Sequence, residues 1–500
     1  PASPVVLDSQ TGEVLQVLPA LHANAGGIAY NALKNQILLC DNGQLLALCG
    51  EAWQAVHYVP QVDMTRLRLS GCLEDGTYLY LTDEALVLRG TAPDALPNLR
   101  PLVVKGHGFN RDALPQFMQT HPEIPLILDD AFYTDIDALF AALQSGSTDV
   151  DVYLMPDYFG IWRLIDKGYA QELSSYPALQ AEISRMNPKV QQAITHNGQF
   201  SALPISLFFD SWLLRPDLLQ EAGYDHPPAT LCEYFEMLGE WEANQSTEFD
   251  FAFHLTPSSD FGLKRYPCIR MAVDAYIAQY EQPNSPLSFD SEVFRQVLCA
   301  IEALHYPAEN VDHALSQSPL FSRFTKPPEA IFTLNEWNPL RIGVFSEHPE
   351  QLIARPPFEI GQAPRSNASM YLAIINPKSL SKQNAADFLA YMAQHQAPDN
   401  LVALYPNANE AIEHAPTVAS LKQQQQELAT LRELQLVADE AHQANISDAI
   451  AQMEQNFARF EKNRFSITAE SIAAYRQVEP AMYIPRDSLY WNLIPAQRDD

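Results

Sequence analysis

From Leu102 onward the chain changes period. PLVVKGH, IPLILDD and DVDVYLMP are apolar runs of strand length, and each gives way to a segment with apolar residues at helical spacing. Such alternation with short connections implies parallel strands covered by helices, because each parallel return needs a crossover and a helix supplies it. Ligands of such sheets lie beyond the carboxyl ends of the strands. The loops Gly106–Asn110, Asp129–Tyr133 and Met155–Trp162 are therefore where chemistry is expected. Asn110 is placed to cap a helix carrying Leu114, Phe117 and Met118, although Pro115 should distort its first turn or delay its start. Thr134 should cap a second helix, with Ile136, Leu139, Phe140 and Leu143 on one face and a stop near Gly146. IWRLIDKGY reads as the next helix.

Residues 1–98 read differently. VVLDSQTGEVLQVL, GIAYNALKNQILLC, GQLLALCG and TYLYLTDEALVLRG are short apolar runs divided by TG, NG and DG turns, the pattern of an all-β segment. Their spacing resembles β-propeller blades, but only about two blades are present where a propeller needs at least four. A two-residue turn at Asn42-Gly43 would set Gln36, not Cys40, opposite Cys49, so no disulfide is implied in that hairpin. The six cysteines show no zinc-site spacing, and buried free thiols are the expected state of most of them. Thr91–Pro101, with three prolines, reads as a linker.

Five hundred residues exceed a single core, so two or three domains are expected. The net charge of −30 repels phosphate backbones and anionic lipid, which argues against nucleic acid as a partner. No apolar run approaches a membrane span. Pro1 is expected to follow a removed signal peptide or to mark a cut, and no lipid-bearing Cys begins the chain. Neither a P-loop, a GxGxxG loop, HExxH, GxSxG nor an EF-hand occurs, so no nucleotide chemistry, cofactor or metal is expected. Asp129, Asp130, Asp135 and Asp137 cluster, but capping and the helix dipole account for the latter two without a cation.

Aromatic residues at the ends of the expected strands carry the strongest chemical signal. Flat rings stack on the C–H faces of sugars, and carboxylates and amides bind the hydroxyl rim. Tyr133, Tyr158, Trp212 and Trp337 are the aromatic candidates, with His107, Asn110, Asp129, Asp157, Asp210, Glu336 and Asn338 as polar partners. Trp337, in a loop between Glu336 and Asn338, is the foremost of them. Trp162 and Phe208, also near strand ends, fit a core at least as well.

Several phrases occur in a telling order: DVYLM at 151–155, a helix ending GYAQELS at 168–174, NGQFSALP at 197–204 and RPDLLQEAG at 215–223. RPPFEIGQAP with a strand, an N-P-x-S turn and a helix follows at 355–395. The series resembles family 1 of the extracellular solute-binding proteins of ABC importers, the class that contains maltose-binding protein. That resemblance implies an α/β, two-lobed periplasmic-binding-protein-like fold of type II. Lobe one would comprise 100–206 and 340–370, lobe two, rich in helix, 207–339 and 371–500, with crossings near Pro204–Phe209, Glu336–Arg341 and Ser369–Ile374. It further implies a non-enzymatic, monomeric receptor at the outer face of a bacterial membrane. The receptor would close on a carbohydrate and dock on permease subunits. A glycan-degrading enzyme using Asp157 and Glu336, and a sensor or adhesion subunit, are the alternatives. The β-segment and the Gln-rich helical tail (419–477) lie outside the family's usual pattern.

Overall fold

The computed structural model describes residues 4–19, 26–32, 34–41, 44–49, 52–58, 69–72, 77–81, 86–91, 100–106, 108–110, 113–121, 123–124, 126–129, 136–243, 249–254, 265–282, 285–304, 329–335, 340 and 350–485. The chain divides into two units, Pro1–Ser206 with Met370–Ala397 and Leu207–Ser369 with Pro398–Asp500. Two of the divisions fall inside strands, at the first and last crossings expected from the sequence. The third falls at Ala397/Pro398, not near Glu336–Arg341. Residues 340–369 thus belong to the second unit and 370–397 to the first, a correction of the expected lobes.

The first unit begins with strands β1 (Val5–Leu7) and β2 (Val14–Val17), an antiparallel hairpin. In its turn the Asp8 carboxylate accepts hydrogen bonds from the Gln10 and Thr11 amides, both at 2.8 Å, which hold it below its ordinary pKa. Strands β3 (Gly26–Asn31), β4 (Gln36–Asp41), β5 (Gln44–Cys49) and β6 (Ala52–Tyr58) form a four-stranded antiparallel meander. A three-stranded one follows in β7 (Leu69–Cys72), β8 (Thr77–Leu81) and β9 (Leu86–Thr91). These strands close no propeller among the described residues. The β4–β5 register pairs Asp41 with Gln44, as a two-residue turn requires, and Gln36 Nε2 lies 3.5 Å from Cys49 Sγ. Cys49, Cys232, Cys268 and Cys299 are free thiols.

The α/β part opens with β10 (Leu102–Lys105), β11 (Leu126–Asp129) and β12 (Val152–Pro156), where β10 pairs parallel with both neighbours. The short hairpin β13 (Thr195–His196) and β14 (Gln199–Phe200) precedes β15 (Leu203–Phe209). The late strand Ser366–Ile375 runs antiparallel to β12, giving the sheet order β11, β10, β12, late strand, β15. The parallel reading therefore holds for β10, β11 and β12, and the late strand departs from it. Helix Leu114–Thr120 starts after the expected cap, with Pro115 in its first turn and Ala113 as an N-cap without a side-chain bond. Helix Ile136–Gln144 ends as expected, with Gly146 in the left-handed region at φ 78°.

Asp151, with no exposure, ties the late segment into this sheet. Its Oδ2 accepts from the Val103 amide at 2.9 Å, and its Oδ1 from Ser379 Oγ at 2.6 Å and Arg100 Nη2 at 3.3 Å. Asn376, in the same turn as Ser379, donates to the Ser147 and Val150 carbonyls at 2.9 Å. Removing the carboxylate strands a buried amide, a hydroxyl and half of an ion pair. Asp151→Ala should therefore cost about 3–5 kcal/mol of stability, measured by denaturant unfolding.

In the second unit, β16 (Ser211–Leu214), β17 (Asp250–His254), β18 (Ala330–Asn335) and β19 (Gln351–Ala354) form a sheet of order β17-β18-β16-β19. Strand β16 is antiparallel to β18 and β19, and β17 is parallel to β18. Helices Leu231–Ala243, Arg265–Tyr280 and Glu292–Glu302 contribute to its aromatic core. There Trp212 lies 4.7 Å from Tyr234 and 5.9 Å from Phe332 by ring centroids. The late strand, β20 (Ser366–Ile375), begins in this unit. Strands β21 (Ile412–Glu413) and β22 (Phe465–Ile467) bracket two helices, Ala415–Val437 and Glu440–Lys462. They pair along a seam of Thr417, Leu421, Gln424 and Leu428 against Ile446, Ile450, Met453 and Phe457, spaced alternately four and three residues apart. Arg432–Glu454 at 2.7 Å and Gln435–Ser447 at 2.8 Å bridge the pair. Strand β23 (Met482–Tyr483) then pairs parallel with the start of β20. Among the described residues no helix is long and apolar enough to cross a membrane.

Candidate functional site

Because β10, β11 and β12 are parallel, Lys105, Asp129 and Pro156 end at one edge of the first unit's sheet. Asp129 stands in register with Lys105 and pairs with its Nζ at 3.3 Å. After Lys105 the chain turns through Gly106 and Gly108, at φ 109° and 130°. A Cβ on Gly106 would overlap the Leu154 carbonyl, and one on Gly108 would sit 3.3 Å from the Tyr371 ring. Both positions require glycine, by backbone conformation and by space. Asn110 follows, and its Nδ2 donates to the His395 carbonyl at 3.0 Å instead of capping the next helix.

After β12 the chain makes a tight 3-10 turn, Asp157–Phe159, closed by Gly160 in the left-handed region. Asp157 is fully buried, and its Oδ2 accepts from the Met370 amide at 2.8 Å, fixing the turn to β20. Tyr158 is half-buried, tilted against Phe159 at 5.5 Å and hydrogen-bonded to the Tyr371 hydroxyl. Burial, then the charge and hydrogen bond of Tyr158, push the Tyr371 phenol well above its ordinary pKa, so it remains a neutral donor. The edge thus presents Tyr158, backed by the buried Tyr371, beside a glycine loop and an ion pair.

The second unit has its own edge. Strands β17 and β18 are parallel and β19 runs the same way, so all three end where β16 begins. Asp210 immediately precedes β16 and Arg355 immediately follows β19. Arg355 Nη1 donates to Asp210 Oδ2 at 3.0 Å and Nη2 to the Arg365 carbonyl at 3.1 Å. The Asp210 amide donates to the Asn367 carbonyl at 2.9 Å. Burial pushes the Asp210 carboxyl above its ordinary pKa, and Arg355 opposes that shift.

Of the residues expected from sequence, Asn110, Asp129, Asp157 and Tyr158 gather at the first edge, and Asp210 lies at the second. Asp157 holds backbone rather than facing solvent. Trp212 is 1 % exposed, in the core, which corrects its reading as a ligand contact. Trp337, Glu336, Asn338, His107 and Tyr133 lie outside the described residues. Sequence reasoning missed Tyr371 and Arg355. The Ser369–Ile374 crossing pointed at the former; the latter's only signal is a lone arginine opening RPPFEI. Among the described residues no group of three or more His, Cys, Asp or Glu could hold a metal. If Trp212 serves packing, Trp212→Ala should cost about 3–5 kcal/mol by denaturant unfolding.

No protein-family model matches the chain, and no curated protein does. Solved structures do resemble it. A maltose-bound MalE3 of T. maritima is 18 % identical over 72 % of this chain and 99 % of its own, with a TM-score of 0.43. An ABC substrate-binding protein from Listeria monocytogenes in complex with cycloalternan is 14 % identical over 58 % and 74 %, at 0.41. A family 1 extracellular solute-binding protein from Bifidobacterium longum subsp. infantis is 16 % identical over 61 % and 79 %, at 0.38.

Proposed function

We propose that this chain is an extracellular carbohydrate receptor of an ABC importer, which captures a sugar and delivers it to membrane permease subunits. The observation that carries the reading is the way the chain is threaded. It leaves the first α/β unit inside β15, re-enters it inside β20 and leaves again at Ala397/Pro398, so each unit is built from separated segments. That is the construction implied by the order of sequence signatures. A receptor of this kind works by population shift, its ligand stabilising the form in which it makes more contacts.

The sugar assignment rests on the first edge. Tyr158, half-buried and braced by its hydrogen bond to the buried Tyr371, offers a ring, and Asn110 and Asp129 offer amide and carboxylate groups on the same edge, the complement a sugar's apolar face and hydroxyl rim require. The hydrolytic alternative needs two accessible carboxylates at a suitable separation. Asp157, one of its two candidate acids, is buried with an oxygen committed to the Met370 amide, which favours binding without cleavage.

Thermal-shift and calorimetric titration with maltotriose, cellotriose, xylotriose and their monosaccharides tests the reading. A ligand at one hundred times its Kd should add about 2.7 kcal/mol of stability. Tyr158→Ala should weaken that ligand about tenfold, for loss of a stacking face. No response across the panel with a response to peptides, or cleavage of labelled oligosaccharide on long incubation, would overturn it.

A further inference from the structure

Two carboxylate–arginine clusters in this protein can be compared: in one the carboxylate is fully buried, in the other it is the arginine that is buried and the carboxylate only partly so. Around Asp151 both carboxylate oxygens have donors: the Val103 amide on one, Ser379 and Arg100 on the other. Around Asp210 the accounting does not close. Arg355 is 2 % exposed, yet its Nε has no partner, and neither do the buried Asn367 Oδ1 and Ser211 Oγ. Asp210 Oδ2 is taken by Arg355, while among the described residues its second oxygen accepts no hydrogen bond. A buried ion pair kept only for packing should be fully hydrogen-bonded, because incomplete pairing leaves the desolvation cost uncompensated. This pair is incomplete, and it stands at the strand-end edge of the second unit, where an α/β sheet takes its ligand.

The partners are also unequal. Asp210 is 24 % exposed against 2 % for Arg355, so a molecule reaching this edge meets the carboxylate and not the guanidinium. An ionised carboxylate accepts strong, short hydrogen bonds from hydroxyl groups. It repels another carboxylate. The arginine that would otherwise attract a sugar acid is already neutralised and covered.

We infer that Asp210 is the hydroxyl-reading carboxylate of the second unit, that Arg355 is its positioning residue, and that the pair selects uncharged sugars over sugar acids. The inference rests on the receptor reading and adds the ligand class to it. Arg355 fixes one carboxylate oxygen and thereby the orientation of the other.

The test is calorimetry on the full chain with maltotriose, cellotriose and xylotriose against glucuronic and galacturonic acids, together with thermal unfolding of each variant. The wild type should bind a neutral sugar and reject both acids. Asp210→Asn, which keeps size and one acceptor for Arg355, should weaken the neutral sugar about 10- to 100-fold and narrow the preference over the acids. Asp210→Glu keeps the charge and guards against misfolding of the first variant: affinity should fall while the neutral preference persists. Arg355→Lys should lower affinity without reversing selectivity. A purely structural pair would change the melting temperature and leave the neutral-to-acid ratio where it was, and that result overturns the inference alone. So does a wild type that prefers the acids. If the wild type binds no saccharide of either kind, the receptor reading falls first and takes this one with it.

Discussion

The first unit depends on a carboxylate that never meets water. Asp151 receives Ser379 from 228 residues away, and that bond, with those of Asn376, ties the returning segment to the start of β12. Burying an ionised carboxylate is costly unless every lone pair is used. Here an amide, a hydroxyl and a guanidinium donate to its two oxygens, leaving neither without a partner, while Asn376 holds the neighbouring carbonyls. The pairing of β20 with β12 follows, from Ile375 beside Val152 to Tyr371 beside Pro156. Tyr371 is thereby delivered to the edge where Tyr158 and Gly108 lie. The β12–β20 pair is thus held at both ends, by Asp151 on one side and by Asp157 at the candidate site on the other.

This also explains physically why two of the sequence phrases occur together. DVYLM begins with the buried carboxylate, and the N-P-x-S turn supplies Asn376 and Ser379 to surround it. Each phrase looks weak alone because a single Asp or a single Ser has many uses. Their joint meaning lies in a contact that spacing along the chain cannot display.

Local rules were legible in the sequence. The two-residue turn set the β4–β5 register and brought Gln36 to Cys49; Gly146 stopped its helix; Pro115 delayed the preceding one. What depends on burial by distant elements was not. Trp212 follows Asp210 at the start of a strand buried on every residue, so alternation gave no sign of which face was wet. Its ring packs on Tyr234 and Phe332, residues reached only through a helix and a strand that the sheet order brings near. Asn110 is not the cap because the N-cap falls three residues later, at Ala113; its amide nitrogen donates instead to the His395 carbonyl, 285 residues away. The lobe assignment of 340–370 was reversed because strand passages can be read from a pattern, but the side on which each lands cannot. The propeller likeness is not confirmed: among the described residues the segment forms meanders of four and three strands, which satisfy the turn pattern by themselves.

The tail shows the same division between local pattern and context. Its heptad character is too short to specify a coiled coil, and the sequence reads as helix packed across the second lobe, yet the two 23-residue helices pair with each other. The seam includes Gln424, whose buried Oε1 finds no partner. A polar group in that position weakens the pair and favours one register over others. Here and at Arg355 the chain keeps polar atoms where apolar ones would be more stable, whereas at Asp151 it completes every bond. The difference separates interiors built for stability from positions where stability was given up. At Arg355 the neighbour is a partly exposed carboxylate, Asp210, whose free oxygen the ion pair holds in one orientation at the edge of a sheet.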